Sequence, residues 1–140
     1  MIKKTITFKD FNGKSRTEDF YFNLTVDEVM ELEFSESGGL GAYIQTIIES
    51  DDNMKIYHTF KKIVLSAIGK KSEDGLRFIK NDQIASEFSQ TNAFSELLID
   101  FMTNAEVGAS FIEALLPQEE IEKIVQNTSA PAAAAVLSHA

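Results

Sequence analysis

The chain has 140 residues, of which 44% are hydrophobic and 25% are charged, and its formal net charge is −9. This length and apolar content suit one domain that buries a core without crosslinks. The absence of cysteine excludes disulfides, thiol catalysis and cysteine-ligated metals. No apolar run approaches the roughly 20 residues of a membrane span, and the start MIKKTITF lacks the apolar stretch of a signal peptide. We therefore expect a cytosolic protein.

The charge is distributed unevenly along the chain. Residues 1–80 carry 12 of the 13 basic residues against 13 acids, whereas residues 81–140 carry only Lys123 against nine acids, a net charge of −8. This acidic part disfavours nucleic-acid binding and favours a basic protein partner. A solvated acidic face that only promotes solubility explains the same pattern.

The first predicted element is a β-hairpin at residues 1–24. Apolar residues alternate with polar ones on both sides of the turn-forming segment 10–15, namely Ile2, Ile6, Phe8, Phe20, Phe22 and Leu24. This period of two indicates half-buried strands. A two-residue turn at Asn12-Gly13 would place Phe8 opposite Thr17 and mix apolar and polar residues on one face. A three-residue loop puts the apolar residues of both strands on the same face, so we predict an odd-length loop.

A helix start follows the hairpin directly. Thr25 and Glu28 match a capping box, in which the Thr25 side chain bonds forward and the Glu28 side chain reaches back. Leu24 and Val29 stand at the two positions of a hydrophobic staple. We predict that the inner stripe of this helix contains Val26, Val29, Met30 and Phe34. The segment 35–39 ends the helix.

Two helices and a short strand are predicted next. The first helix carries an apolar stripe from Leu40 to Ile48. The second is capped by Ser50-Asp51 and closed by Gly69 as a C-terminal cap. Its predicted stripe contains Met54, Tyr57, Phe60, Ile63, Val64 and Ala67. Residues 70–75 form a polar loop, and Leu76 to Ile79 are a candidate third strand beside the hairpin.

Helix-capping residues divide the C-terminal part into short helices. Asn81 or Asp82, Thr91 and Asn104 precede three apolar stripes and predict three N-caps. Pro117, followed by acids, predicts the start of a fourth helix that runs to about residue 127. The predicted inner positions of the first three helices are Ile84, Ala85, Phe88, Ala93, Phe94, Leu97, Leu98, Phe101, Met102, Val107, Phe111, Ala114 and Leu115.

Together these elements predict an α+β fold that is mostly helical, with an N-terminal hairpin packed with six to seven short helices. We expect one globular domain at residues 1–127, comprising the hairpin at 1–24 and a helical part at 25–127. Residues 128–140 have no stripe long enough to dock on this domain, so we expect a mobile tail.

No sequence pattern indicates catalysis, a cofactor or a metal. The two histidines, His58 and His139, belong to no ligand cluster or triad. The glycines at 38–41 lack the Lys-Ser/Thr and the preceding strand of a nucleotide-binding loop. The acid pairs at 51–52 and 119–120 are explained as helix-start residues. We therefore expect a binding protein and not an enzyme.

The order of elements from Leu76 to Pro117 resembles the tail assembly chaperones of long-tailed, siphovirus-type bacteriophages. The residues that carry this resemblance are Phe78, Ile79, Phe88, Thr91, Ala93, Phe94, Leu97, Phe111, Ile112 and Pro117. We interpret them mostly as packing residues. The resemblance therefore implies a common fold more directly than a common site.

The resemblance implies a chaperone in the cytoplasm of the infected bacterium that is absent from the mature virion. Its partners would be the tape measure protein, which it keeps soluble, and the major tail (tube) protein, which polymerises around that client. Self-association and a longer frameshifted product are left open. A candidate acidic partner surface comprises Glu113, Glu119, Glu120 and Glu122.

Two alternatives remain at this point. The first is a structural minor tail or connector protein that is retained in the virion. The second is a small acidic regulatory protein that mimics the charge of nucleic acid, although the apolar periodicity of the acidic part argues against it.

Overall fold

The computed structural model describes residues 1–35, 45 and 49–116. In this part of the chain, one four-stranded antiparallel sheet packs against five helices. The strands are β1 (Ile2–Lys9), β2 (Ser15–Phe22), β3 (Ile68–Lys71) and β4 (Phe78–Ile79). The helices are α1 (Val26–Ser35), α2 (Asn53–Ala67), α3 (Asp82–Ser89), α4 (Asn92–Thr103) and α5 (Ala105–Leu115).

The predicted α+β class with an N-terminal hairpin is confirmed. The five helices are fewer than the six to seven predicted, but the count covers only the described residues. The predicted stripe from Leu40 to Ile48 falls mostly outside them. The predicted helix from Pro117 and the predicted tail at 128–140 lie wholly outside them.

The hairpin has the predicted odd-length loop. Asp10 N–H donates to Lys14 O at 2.8 Å, and Gly13 N–H donates to Asp10 O at 3.1 Å. Gly13 has a φ of +80°, a conformation that a residue without a Cβ adopts without strain. Asp10 and Lys14 are therefore paired beyond the strand ends, and the three residues between them, 11–13, form the loop. The register places even-numbered residues opposite one another, for example Ile2 opposite Phe22, so the apolar residues share one face as predicted.

The sheet contains one strand that the sequence did not predict. β3 pairs with β2 at only two positions, Tyr21–Gly69 and Phe22–Ile68, and then with β4. Gly69 therefore lies inside the sheet, so its prediction as a helix cap is wrong. A Cβ on Gly69 would lie 2.5 Å from the Phe78 ring. β3 and β4 can therefore lie this close together only because residue 69 is glycine. The strand beside the hairpin is β3, not the predicted segment 76–79.

Local hydrogen bonds define the helix starts. The predicted caps of α3, α4 and α5 are confirmed, because Asn81, Thr91 and Asn104 each accept a first-turn amide hydrogen bond. In α2 the cap is Asp52, which accepts from Met54 N and Lys55 N, and not the predicted Ser50-Asp51. The reason is that the Ser50 hydroxyl instead accepts from the Asp52 amide at 3.0 Å.

The capping box of α1 is formed in part. Glu28 reaches back to the Thr25 amide at 2.9 Å, as predicted. The Thr25 hydroxyl donates to the same carboxylate at 2.9 Å, a hydrogen bond that the predicted capping box does not contain. Leu24 and Val29, the predicted staple, are both buried.

Two apolar residues predicted to face inward are exposed, Phe34 by 62% and Met54 by 59%. Helical residues are separated by about 100° around the axis. In α2 the buried positions begin at Ile56, so Met54 lies about 200° away from that face. Among the α1 side chains that the structure describes, Val29 and Glu33 are buried, and Phe34 lies beside their row. Both predictions are wrong because neighbouring elements set the angle of each stripe.

The core is a single apolar cluster between the inner face of the sheet and the helices. Phe22, Phe60 and Phe101 are fully buried. The Phe111 ring lies 5.3 Å from the ring of Phe22 and 5.0 Å from that of Phe101. These contacts join the hairpin to α4 and α5, so the sheet and the helices share one core.

Lys80 joins three segments at the side of this core. Its ammonium group bonds to both carboxylate oxygens of Glu28 in α1. It also donates to Asn23 O at 2.9 Å and to Ser66 O at 3.0 Å. A cation with this many partners fixes the end of the hairpin against α2 and the segment before α3.

Candidate functional site

The structure describes nine of the ten residues that carried the family resemblance, whereas Pro117 lies outside the described residues. Six are buried, namely Phe88, Ala93, Phe94, Leu97, Phe111 and Ile112. Phe78, Ile79 and Thr91 are half-buried. Thr91 caps α4. These side chains pack the interior and the helix junctions, so an accessible binding surface has to be sought elsewhere.

α5 presents a different face to the core from the one predicted. Its buried residues are Gly108, Ala109, Phe111, Ile112 and Leu115. Val107 is 40% exposed and Ala114 is also exposed, so the prediction that both face inward is wrong. The reason lies in α2: a Cβ on Gly108 would overlap the Phe60 ring. Only a residue without a side chain fits there, and α5 is rotated accordingly.

This rotation creates a surface groove between β1 and α5, with a volume of about 510 Å³. Four apolar side chains line it, namely Ile2, Val107, Phe111 and Ala114. The polar lining residues are Lys4, Asn104, Glu106 and Ser110. We call this concavity the β1–α5 groove. Its apolar α5 positions are three to four residues apart, which is the spacing that matches a facing helix.

The sequence reasoning did not assign Ile2, Lys4 and Ser110 to a site. One signal was available for Lys4, because it is a charged residue in the otherwise apolar row of even-numbered β1 positions. In the structure the Lys4 ammonium lies 5.9 Å from the centre of the Phe111 ring. At this distance the cation is attracted to the ring. This attraction holds the Lys4 side chain at the groove.

The three helices α3 to α5 are strongly acidic, whereas β1, the other wall of the groove, carries Lys3, Lys4 and Lys9 and no acid. Residues 82–115 contain six acids and no lysine or arginine. These acids are Asp82, Glu87, Glu96, Asp100, Glu106 and Glu113. Glu113 is half-buried on α5 and does not line the groove. The other members of the predicted acidic surface, Glu119, Glu120 and Glu122, lie outside the described residues.

A second concavity opens where β2 and β3 separate, with a volume of about 520 Å³. We call it the β2–β3 wedge. Its apolar lining includes Phe20, Ile84 and Phe88, and the Phe20 and Phe88 rings are 5.0 Å apart. Charged side chains from both strands and from α3 surround this floor, namely Glu18, Asp19, Lys70, Lys71 and Glu87.

The perturbed carboxyl groups lie away from both concavities. A hydrogen bond from the Thr25 side chain lowers the pKa of Asp27. Hydrogen bonds from the Ser72 side chain and the Leu76 amide lower the pKa of Asp74. Both shifts come from local turn geometry. Among residues 1–35, 45 and 49–116, no group of acids and histidines is arranged to hold a metal ion.

A groove of this kind binds by shape and charge. Its apolar floor fits the apolar stripe of an amphipathic helix, and Glu106 on its α5 side can attract a basic residue of that helix. None of the helices in the described ranges is long and apolar enough to span a membrane.

Comparison with known proteins agrees with a role in binding. A family model described as phage tail assembly chaperone matches residues 1–139. No curated protein and no solved structure matches the chain. Because the match covers nearly the whole sequence, the chain belongs to the phage tail assembly chaperone family.

Proposed function

We propose that this chain binds the tape measure protein of its phage, keeps it soluble and promotes polymerisation of the tail tube around it. The observation that carries the proposal is the β1–α5 groove, an exposed apolar concavity with Lys4 on its β1 side and Glu106 on its α5 side. The chain acts in the cytoplasm of the infected host and is absent from the mature virion.

Tape measure proteins are long, and we propose that the groove takes up the apolar stripe of one helical segment of this client. Val107 and Ala114 would face that stripe, while Glu106 would lie beside basic client residues. Many copies bound along one client gain from avidity even when each contact is weak. Weak contacts also allow each copy to leave when a tube subunit arrives.

The first experiment tests the groove by co-expression with the tape measure protein of the same phage. The unaltered chain should move the client from aggregates to the soluble fraction and co-purify with it. A variant carrying Val107→Ser and Ala114→Gln should lose most of this effect, because both changes make the groove floor polar. Ile99→Ser is the matched control, since Ile99 is 56% exposed on α4 but does not line the groove.

Two results would contradict the proposal. One is equal client solubility with the groove variant and the control variant. The other is stoichiometric recovery of the chain from purified virions together with no effect on client solubility, which would support a structural tail protein instead.

A second experiment tests the charge. Replacing Glu113, Glu119, Glu120 and Glu122 together with glutamine should slow association with the client, and most strongly at low salt, where charges act over the longest distance. A control variant should neutralise the four exposed acids Glu31, Glu49, Asp51 and Glu73, which gives the same net charge. Equal association rates for both variants would mean that only net charge matters.

A further inference from the structure

The outer edge of β2 is open along most of its length. β3 covers only Tyr21 and Phe22, and the positions Ser15 to Phe20 have no strand partner on that side in the described part of the chain. An open strand edge offers unpaired N–H and C=O groups to another strand. The β2 edge can therefore pair with a further chain.

The hydrogen-bond pattern shows which residues face this edge. In antiparallel strands, successive residues direct their main-chain groups to opposite sides. Tyr21 pairs with Gly69 of β3, and Asn23 N–H donates to Ala67 O at 2.9 Å, so the odd-numbered residues face away from β1. Within the described residues, the main-chain groups left without a strand partner on this side are consequently those of Ser15, Thr17 and Asp19.

The charges on this edge are complementary to themselves. When two β2 strands run antiparallel about Thr17, Arg16 of each copy stands opposite Glu18 of the other, and Ser15 stands opposite Asp19. Opposite charges at facing positions stabilise a strand pair. β1, which lies at one edge of the sheet, carries three lysines and no acid, so it has no such pairing with itself in any register. Lys9 O of β1 also already accepts from the Asn92 side chain at 2.8 Å.

We propose that two copies of this chain form a symmetric dimer by pairing their β2 strands about a twofold axis at Thr17. The occupant of the open edge is thus a second copy, and the two sheets become one continuous sheet. This dimer does not depend on the proposed client binding, which uses the opposite edge of the hairpin.

The proposed register also gives a role to an exposed aromatic residue. Phe11, in the loop of the hairpin, is 81% exposed. Pairing about Thr17 places Lys14 of one copy opposite Phe20 of the other, which brings the hairpin loop to the β2–β3 wedge. The apolar floor of the wedge, formed by Phe20, Ile84 and Phe88, can then cover the Phe11 ring of the second copy.

A single cysteine tests the axis, because the chain has none of its own. In the proposed dimer only Thr17 faces itself, at a Cα separation of roughly 5.5 Å for a hydrogen-bonded pair, which a disulfide can bridge. Full-length Thr17→Cys should form a disulfide-linked dimer on mild oxidation. Thr7→Cys is the matched control, since Thr7 lies directly opposite Thr17 within the hairpin but on β1. Equal crosslinking of the two variants would overturn the proposal.

Charge reversal provides the second test, with mass measured by light scattering at increasing protein concentration. Arg16→Glu and Glu18→Arg should each lose the dimer, because each places like charges opposite one another twice. Mixing the two variants should restore it, since every facing pair is then opposite in sign. A wild-type chain that remains monomeric at the highest concentration, or variants that dimerise as well as wild type, would refute the dimer. Failure of client binding alone would leave these readouts unchanged.

Discussion

α4 and α5 are adjacent helices with similar predicted stripes, yet they use them differently. In α4 the predicted residues Ala93, Phe94, Leu97, Leu98 and Phe101 are all buried. In α5 Gly108 and Ala109 are buried together with Phe111, Ile112 and Leu115, while Val107 lies at the surface. The volume beside α5 is already filled by the rings of Phe60 and Phe101, whose centres are 5.2 Å apart.

This difference separates a packing helix from a candidate binding helix. In α5 the close contact of Gly108 with Phe60 leaves Val107 outside the core and beside the groove, whereas the exposed Ile99 of α4 does not line that groove. An exposed apolar patch beside a groove is the feature expected of an interaction surface. The comparison predicts that α4 contributes mainly to stability, whereas the outer face of α5 contributes mainly to binding.

The largest effect on stability is expected from Phe101→Ala in α4. Phe101 is fully buried and contacts both Phe60 and Phe111. Removing the ring should lower the free energy of unfolding by about 3 to 5 kcal/mol, measured by chemical denaturation. Ile99→Ala on the exposed side of the same helix should change it by less than about 0.5 kcal/mol. A similar loss in both variants would contradict the assignment of the buried face.

Gly108→Ala tests the close contact that rotates α5. In an exposed helix interior this change stabilises by about 1 kcal/mol. Here the added methyl group would overlap the Phe60 ring, and overpacking should instead destabilise by about 1 to 3 kcal/mol. Ser110→Ala, on the exposed side of α5, serves as the control and should be neutral or stabilising. A higher thermal midpoint for Gly108→Ala would show that α5 does not approach α2 so closely.

The N-caps give a smaller contrast between the two helices. Thr91 accepts from Phe94 N at 3.2 Å and donates to Phe88 O at 2.7 Å. Asn104 accepts from Val107 N at 3.4 Å. Thr91→Ala should therefore cost about 1 kcal/mol and Asn104→Ala slightly less, measured in parallel urea titrations. The reverse order would mean that the α5 cap is the stronger one.

The smallest stability effect is expected from Val107→Ser in the isolated protein. Val107 is already partly in water, so the free energy of unfolding should change by less than about 0.5 kcal/mol. Client solubility in co-expression should nevertheless fall, because the groove loses apolar surface. A large loss of stability would instead identify Val107 as part of the core and remove the distinction between the two helices.

The N-caps of α3, α4 and α5 and the face of the hairpin that carries its apolar residues could be predicted from the sequence. Asn81, Thr91 and Asn104 bond to amides only three residues away, so residue type and position alone indicate their role. The odd-length loop followed from matching the apolar rows of two neighbouring strands. For the candidate site, the sequence indicated the acidic helices but assigned their apolar residues to the core.

Tertiary structure decided the features that depend on distant residues. Lys80 binds Glu28, which lies 52 positions earlier in the chain. No local sequence pattern predicts that contact. Gly69 is a strand residue because it pairs with Tyr21 of β2, and the rotation of α5 is fixed because Phe60 lies against Gly108. Local sequence therefore determined where helices start and which strand residues share a face, since those interactions span only a few residues. The rotation of α5, and with it the β1–α5 groove, was set by how side chains from separate elements fill one shared volume.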